Sequence, residues 1–225
     1  WVGTTITGSS VSGGYISGGG LFSSGSVTVV GSTVSNNTTD GEFSRGGGIF
    51  AGGGLVMEDS IVSGNSTAGG NAGGGGIWFG DDVQIRNSVI SGNSTTGDFA
   101  NGGGLSGTGT LVIGDSSVVG NSTSGAGAQG GGMQLSSTSQ IVNSTISGNS
   151  TAAVDAPGGG IYVLGTNLAV ANSTVTGNTS QAGAGGIEAR AQEGLTYSIL
   201  VDSTIIAGNT GPDGDFRAVS GSGNI

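Results

Sequence analysis

In a chain without His, Lys or Cys, chemistry has to come from carboxylates, from Arg45, Arg86, Arg190 and Arg217, or from hydroxyl groups. Two carboxylic acids facing one another would serve glycoside hydrolysis, one donating a proton and the other acting as base or nucleophile. A basic residue beside a carboxylate, commonly with calcium, would serve a polysaccharide lyase. Asp59 and Asp115 occupy one phase of the repeat set out below, but Asn87 falls between them and Asn143 follows. The two acids therefore stand two coils apart, about 10 Å by the spacing of strands. Asp and Asn exchanging along one column read as a corner-stacking device. The adjacent pairs Glu58-Asp59 and Asp81-Asp82 read as local turns with solvated carboxylates, with weak calcium binding left open. No two arginines share a column. The expectation is a protein with no catalytic residue, no cofactor and no metal, and so not an enzyme; binding or degradation of polysaccharide is the alternative.

Composition narrows the partners. The net charge of −10 and the absence of Lys argue against a phosphate-binding surface, so nucleic acid is not an expected partner. No run approaches the roughly 18 apolar residues of a membrane span. The opening at Trp1, with no basic-then-apolar leader, reads as a signal segment removed or left out. With 53 Gly and only 8% charged residues, the chain would pass for a disordered linker unless its 33% apolar content is organised.

It is organised by a repeat. A Gly-rich run precedes an apolar residue at Leu21, Ile49, Ile77, Leu105, Met133 and Ile161, each 28 positions after the last, with a weaker copy at Ile187. Sixteen residues after each of the first five comes an Asn, giving Asn37, Asn65, Asn93, Asn121 and Asn149; Asn178 and Asn209 continue the series after small insertions. Between these landmarks apolar residues alternate: Val27, Leu55, Val83 and Leu111 in one phase, then Val29, Met57, Ile85, Ile113 and Ile141 two residues on. Another apolar column, Val34, Val62, Ile90, Val118, Ile146, Val175 and Ile206, precedes each Asn by three. Two-residue spacing, Val and Ile enrichment and Gly, Asn and Ser between the segments all specify strands. One coil should hold about three strands, each paired with its counterpart one coil away, because a single coil cannot bury its own apolar face. The prediction is an all-β fold, a single parallel β-helix domain over residues 1–225, with about seven to eight coils in a rod of roughly 35 Å. A right-handed coil is the strongly preferred hand. Gly and Asn should form the corners, the Asn amides laddering from coil to coil, with Ser32, Ser60, Ser88, Ser116, Ser144 and Ser173 as a second corner device.

Two surfaces stand out. Directly after the inward apolar position come Phe22, Phe50 and Trp78, then Ser106, Gln134, Tyr162 and Glu188. Alternation points this column outward, making Phe22, Phe50, Trp78 and Tyr162 the candidate interaction residues, suited to an interface or to stacking on sugar rings. Phe43 and Phe99, six residues before Ile49 and Leu105, could cover that edge instead. The second surface is the strand before the Asn, exposing Thr33, Ile61, Val89, Ser117, Thr145 and Thr174 beside Ser35, Ser63, Ser91, Val119, Ser147 and Thr176. Regular Thr ranks on a flat face would order water, so an ice-binding solenoid is a further alternative. Sequons such as Asn65-Ser66-Thr67 and Asn149-Ser150-Thr151 are part of the repeat, and a glycan there would break the ladder.

The elements Gly75-Gly76-Ile77 with Ile90 and Asn93, and Gly159-Gly160-Ile161 with Val175 and Asn178, give the chain a resemblance. It resembles bacterial surface and secreted proteins with right-handed parallel β-helix repeats, among them the polymorphic outer-membrane, autotransporter-like adhesins that pair G-G-A-I with F-x-x-N. Here a third Gly replaces Ala and an aliphatic residue replaces Phe. Residues Ile205 to Phe216 also look like the closing repeat of large secreted proteins. The resemblance implies secretion or surface display, and a structural or adhesive role. Expected partners are further copies of the chain stacked end to end into a filament, other surface proteins, or carbohydrate.

Overall fold

The computed structural model describes residues 1–192, 197–212, 214 and 216–219. Every strand pairs in parallel with its counterpart in the next coil, so the hydrogen bonds of one turn are completed by its neighbours. In the coil beginning at Ile77, the strands are Ile77–Phe79, Val83–Arg86, Val89–Ser91 and Ser94–Thr95. Stacked copies build four sheets, called here I to IV in that order, of eight, seven, eight and seven strands among the described residues. Register follows the repeat: Ile77 pairs with Ile49 and Leu105 in sheet I, and Ile85 with Met57 and Ile113 in sheet II.

The apolar columns lie inside as expected. Ile49, Ile77, Leu105, Met133 and Ile161 are fully buried, as are Met57, Ile85, Ile113 and Ile141, and one hydrophobic cluster runs without a break from Leu21 to Ile199. Alternation is kept within each strand: Val83 and Ile85 are buried while Gln84 and Arg86 are exposed.

Three expectations need correction. The coil has four strands and not three, because the chain stays extended past the Asn for the two residues Ser94–Thr95. The backbone ladder carries it, Ser94 N–H donating to the Asn65 carbonyl and Thr96 N–H to that of Thr67. Buried Thr95 adds a bond from Oγ1 to the Ala100 carbonyl at 2.6 Å, repeated by Thr123 and Thr151 to Ala128 and Ala156, whereas Thr39 and Thr67 Oγ1 are buried without a partner. Second, the ladder asparagines do not themselves adopt the left-handed backbone. That conformation falls on the residue before each, Asn36 or a glycine such as Gly64, Gly92 and Gly120, which turns the corner and directs the Asn inward. Third, the aromatic column is not outward along its whole length, as described below.

The ladder amides from Asn65 to Asn178 are fully used. Asn65 Nδ2 donates to Asn93 Oδ1 at 2.9 Å and to the Val34 carbonyl at 2.9 Å, while its Oδ1 accepts from the backbone N–H and Nδ2 of Asn37. The pattern runs through Asn93, Asn121, Asn149 and Asn178 to Asn209. Two donors and two acceptor sites are all an amide has, so burial at no exposed area carries no unpaired polar group. The third glycine of the repeat makes room for it: a Cβ on Gly76 would lie 2.9 Å from Asn93 Cγ. A side chain there, as in the G-G-A-I pattern, would press on the ladder. The serine column works similarly, Ser60 N–H donating to Ser88 Oγ at 3.1 Å and Ser88 Oγ to the Arg86 carbonyl at 2.7 Å.

Candidate binding face

The outward column of sheet I begins as a stack of rings. Phe22 and Phe50 lie with centroids 5.1 Å apart and planes 4° from parallel, and Phe50 and Trp78 at 4.8 Å and 6°. These distances match the spacing of neighbouring strands, so the stack runs along the rod because consecutive coils place one ring above another. Phe22 is 58% exposed and Phe50 and Trp78 are half-buried. Register then carries the column to Ser106 and Gln134, where the rings stop.

Tyr162, expected on the same exposed face, is buried, with only 2% of its surface accessible. The turn before it packs on its backbone as in other coils, a Cβ on Gly158 lying 2.8 Å from Tyr162 Cβ just as one on Gly102 would lie 2.8 Å from Ser106 Cβ. On the following coil Glu188 is wholly buried, accepting from the Ala184 N–H at 2.8 Å and pairing with Arg190 Nε at 2.9 Å, and the Arg190 guanidinium stands 6.0 Å from the Tyr162 ring centroid. Burial raises the Tyr162 hydroxyl pKa above its ordinary value, Arg190 opposing and Glu188 adding to the shift. Tyr197, close by, is raised by burial and by Glu188. Nothing in the periodic pattern marked this enclosure, since Glu188 and Arg190 belong to the next coil, where the turn from Asn178 to Ile187 is shorter than its predecessors and the repeat is weakest.

A second aromatic column faces the first. Tyr15, Phe43, Asn71 and Phe99 occupy the tips of the Gly-rich turns, all with left-handed backbone at φ 63°, 57°, 55° and 55°. Phe43 stacks on Tyr15 at 5.1 Å and 8° and so is not the cover for Phe50 that its position suggested. Phe99 is 60% exposed, and its ring lies over Gly127, where a Cβ would come within 2.6 Å of it. The 28-residue spacing of these four positions was readable from the start. The turns approach so closely because they are ladders themselves, Phe43 N–H donating to the Gly70 carbonyl and Asn71 N–H to that of Asp98.

Between the two columns, where the ring stack ends, lies a groove of about 180 Å³. Trp78, Ser106 and Gln134 line the sheet side, Asn71, Phe99 and Asn101 the turn side, and Arg45 places its guanidinium carbon 4.8 Å from the Trp78 ring centroid. Ser106 Oγ donates to Gln134 Oε1 at 3.0 Å, and Asn101 Oδ1 accepts from the Gln129 N–H at 2.8 Å, so each amide keeps its nitrogen for other partners. None of the residues lining the groove is a carboxylate.

The acids lie elsewhere. Asp59 and Asp115 hold left-handed corner positions at φ 49° and 52°, with Asn87 and Asn143 in the same column, and Asn143 Nδ2 donates to Asp115 Oδ1 at 3.3 Å. Asp82 accepts from Thr110 Oγ1 and Asp81 Oδ1 from the Asp82 N–H, a local turn. Among the described residues no group of three or more acids is placed to hold a metal ion. On sheet III the ranks from Thr33 to Thr174 face outward in register, interrupted by exposed Ile61 and Val89. Asn65 and Asn149, the sequon asparagines, are fully buried in the ladder. Of the expected closing repeat, Ile205–Ala207 is the last strand of sheet III, while Asp213 and Asp215 lie outside the described residues.

With this geometry established, comparison with known proteins identifies the fold family. A family model described as the right-handed beta helix region matches residues 4–210. The chain belongs to the right-handed β-helix family. That match fixes the hand of the coil, which the repeat pattern had left to the general preference for right-handed crossovers. No curated protein matches the chain. Among solved structures, an alginate lyase from Paenibacillus sp. str. FPU-7 aligns over 96% of this β-helix and 99% of its own chain, at 15% identity and a TM-score of 0.23. So slight a likeness carries nothing about activity.

Proposed function

We propose that this β-helix is a non-catalytic extracellular module, displayed on a cell surface as a rigid adhesive rod. The observation that carries the reading is the character of the groove beside the ring stack: aromatic rings and amides line it, and carboxylates do not. Such a lining can hold a ligand but offers no acid and base pair to break it. Stiffness supports the same role. The Asn ladder from Asn37 to Asn209 ties each coil to the next, and from Asn37 to Asn178 its amides are buried.

Surface display rests on the resemblance to secreted repeat proteins. Head-to-tail assembly, the second activity available to such a rod, would extend between molecules the stacking that joins coil to coil within one. Electron microscopy of native material labelled with an antibody to the chain is the test. The expected images show label on the outer surface, on rods that stand singly or join end to end; label confined to the cell interior would overturn the reading.

A further inference from the structure

We infer that the groove is a subsite for one ring of a neutral, β-linked polysaccharide, seated against Trp78 as the missing rung of the aromatic stack. The parallel rings of Phe22, Phe50 and Trp78 repeat at 5.1 and 4.8 Å, and the next positions in register, Ser106 and Gln134, supply no ring. The stack thus ends at Trp78, whose ring borders the groove and carries the Arg45 guanidinium 4.8 Å from its centroid, so a sugar ring seated there packs beside that guanidinium or displaces it. The groove, at about 180 Å³, is of the size of the about 150 Å³ cavity that admits benzene, so it has room for a six-membered ring.

The chemistry of the walls selects the ring. A pyranose whose substituents are all equatorial presents C–H bonds on both faces, which pack on an indole, and hydroxyls around its edge. Those hydroxyls meet the amides of Asn71, Asn101 and Gln134, groups that both donate and accept. Charge argues for a neutral polymer: Arg45 is the one cation lining the groove, it already stands over Trp78, and the chain carries a net −10 that repels polyanions at a distance. The inference rests on the adhesive reading above and names its ligand.

Cellohexaose, a β-1,4-linked glucose oligomer, is the probe. In a Trp1→Phe background Trp78 is the only indole, and titration should give a saturable change in its emission. By calorimetry, Trp78→Ala should weaken binding at least tenfold and Gln134→Ala several-fold. Ser106→Phe, which supplies the rung from the protein itself, should abolish binding, and an alginate hexamer should bind at least tenfold more weakly than cellohexaose. Circular dichroism establishes that each variant is folded; should Ser106→Phe not fold, Trp78→Ala alone decides. No saturation up to about 10 mM, undiminished binding by Trp78→Ala, or tighter binding of the alginate hexamer would each overturn the inference. Shortening of the oligomer would instead overturn the non-catalytic reading while leaving the subsite standing.

Discussion

At the scale of single residues, the fold rests on side chains with no freedom to change. Ile85 has no exposed area and neighbours Met57 and Ile113 in register, so Ile85→Asp buries a carboxylate without a partner. The expected cost is about 3 kcal/mol or more, read by denaturant unfolding, whereas Gln84→Asp on the exposed side should be nearly neutral. Asn93→Leu strips the Asn65 amide and backbone N–H and the Val62 carbonyl of their partners together, and at about 1–3 kcal/mol for each buried orphan it should exceed any single core truncation. The pH dependence has a definite sign. The Tyr162 pKa is raised in the folded state above its ordinary value of 10.0, so the folded chain holds that proton longer than the unfolded one. Its contribution to stability is intact below about pH 10 and is lost as pH rises through the folded pKa. Melting temperatures across this range should fall at the alkaline end, and Tyr162→Phe should flatten the fall that remains beside that of Tyr197.

Elements repeat the same argument in backbone terms. Glycines serve two separate purposes in one coil, and substitution distinguishes them. Gly97 approaches the previous turn so closely that a Cβ would lie 2.1 Å from the Gly69 carbonyl oxygen, and Gly97→Ala should force the coils apart. Gly92, at φ +61°, has nothing within 4 Å of a Cβ, so Gly92→Ala should cost only the left-handed strain of about 1 kcal/mol. Equal losses in thermal stability would contradict this division. Much of the element level was legible in the sequence, because an inward column needs only a period and an alternation; Ile49, Ile77 and Leu105, or Met57, Ile85 and Ile113, declare themselves that way. The strand Ser94–Thr95 was missed since Ser and Thr give no apolar signal, and what holds it is the backbone ladder from coil to coil. Tyr162 was misplaced because its neighbours on the next coil, Glu188 in register and Arg190 beside the ring, are charged residues that alternation alone would place in solvent. Arg45 went unremarked as part of the candidate site because its contact with Trp78 crosses from one coil to another outside the register.

The whole molecule is a rod whose interior is uniform and whose surface is not. Along sheet I one column passes from open rings at Phe22, through the groove at Ser106 and Gln134, to the enclosed Tyr162 and Glu188, so a repeating fold presents a surface that changes from coil to coil. Stability is distributed over every coil while the proposed subsite is local, so Trp78→Ala should leave the fold intact. Asp59 and Asp115, the acids best placed by sequence to form a pair, stand at exposed corners with Asn87 between them. The central claim is that the rod holds polysaccharide and does not cut it. Prolonged incubation at high protein concentration with a broad panel of neutral and acidic polysaccharides, followed by chain-length analysis of the products, tests it most directly. The account predicts unchanged chain lengths throughout; shortening that Asp59→Asn or Asp115→Asn abolishes would contradict it.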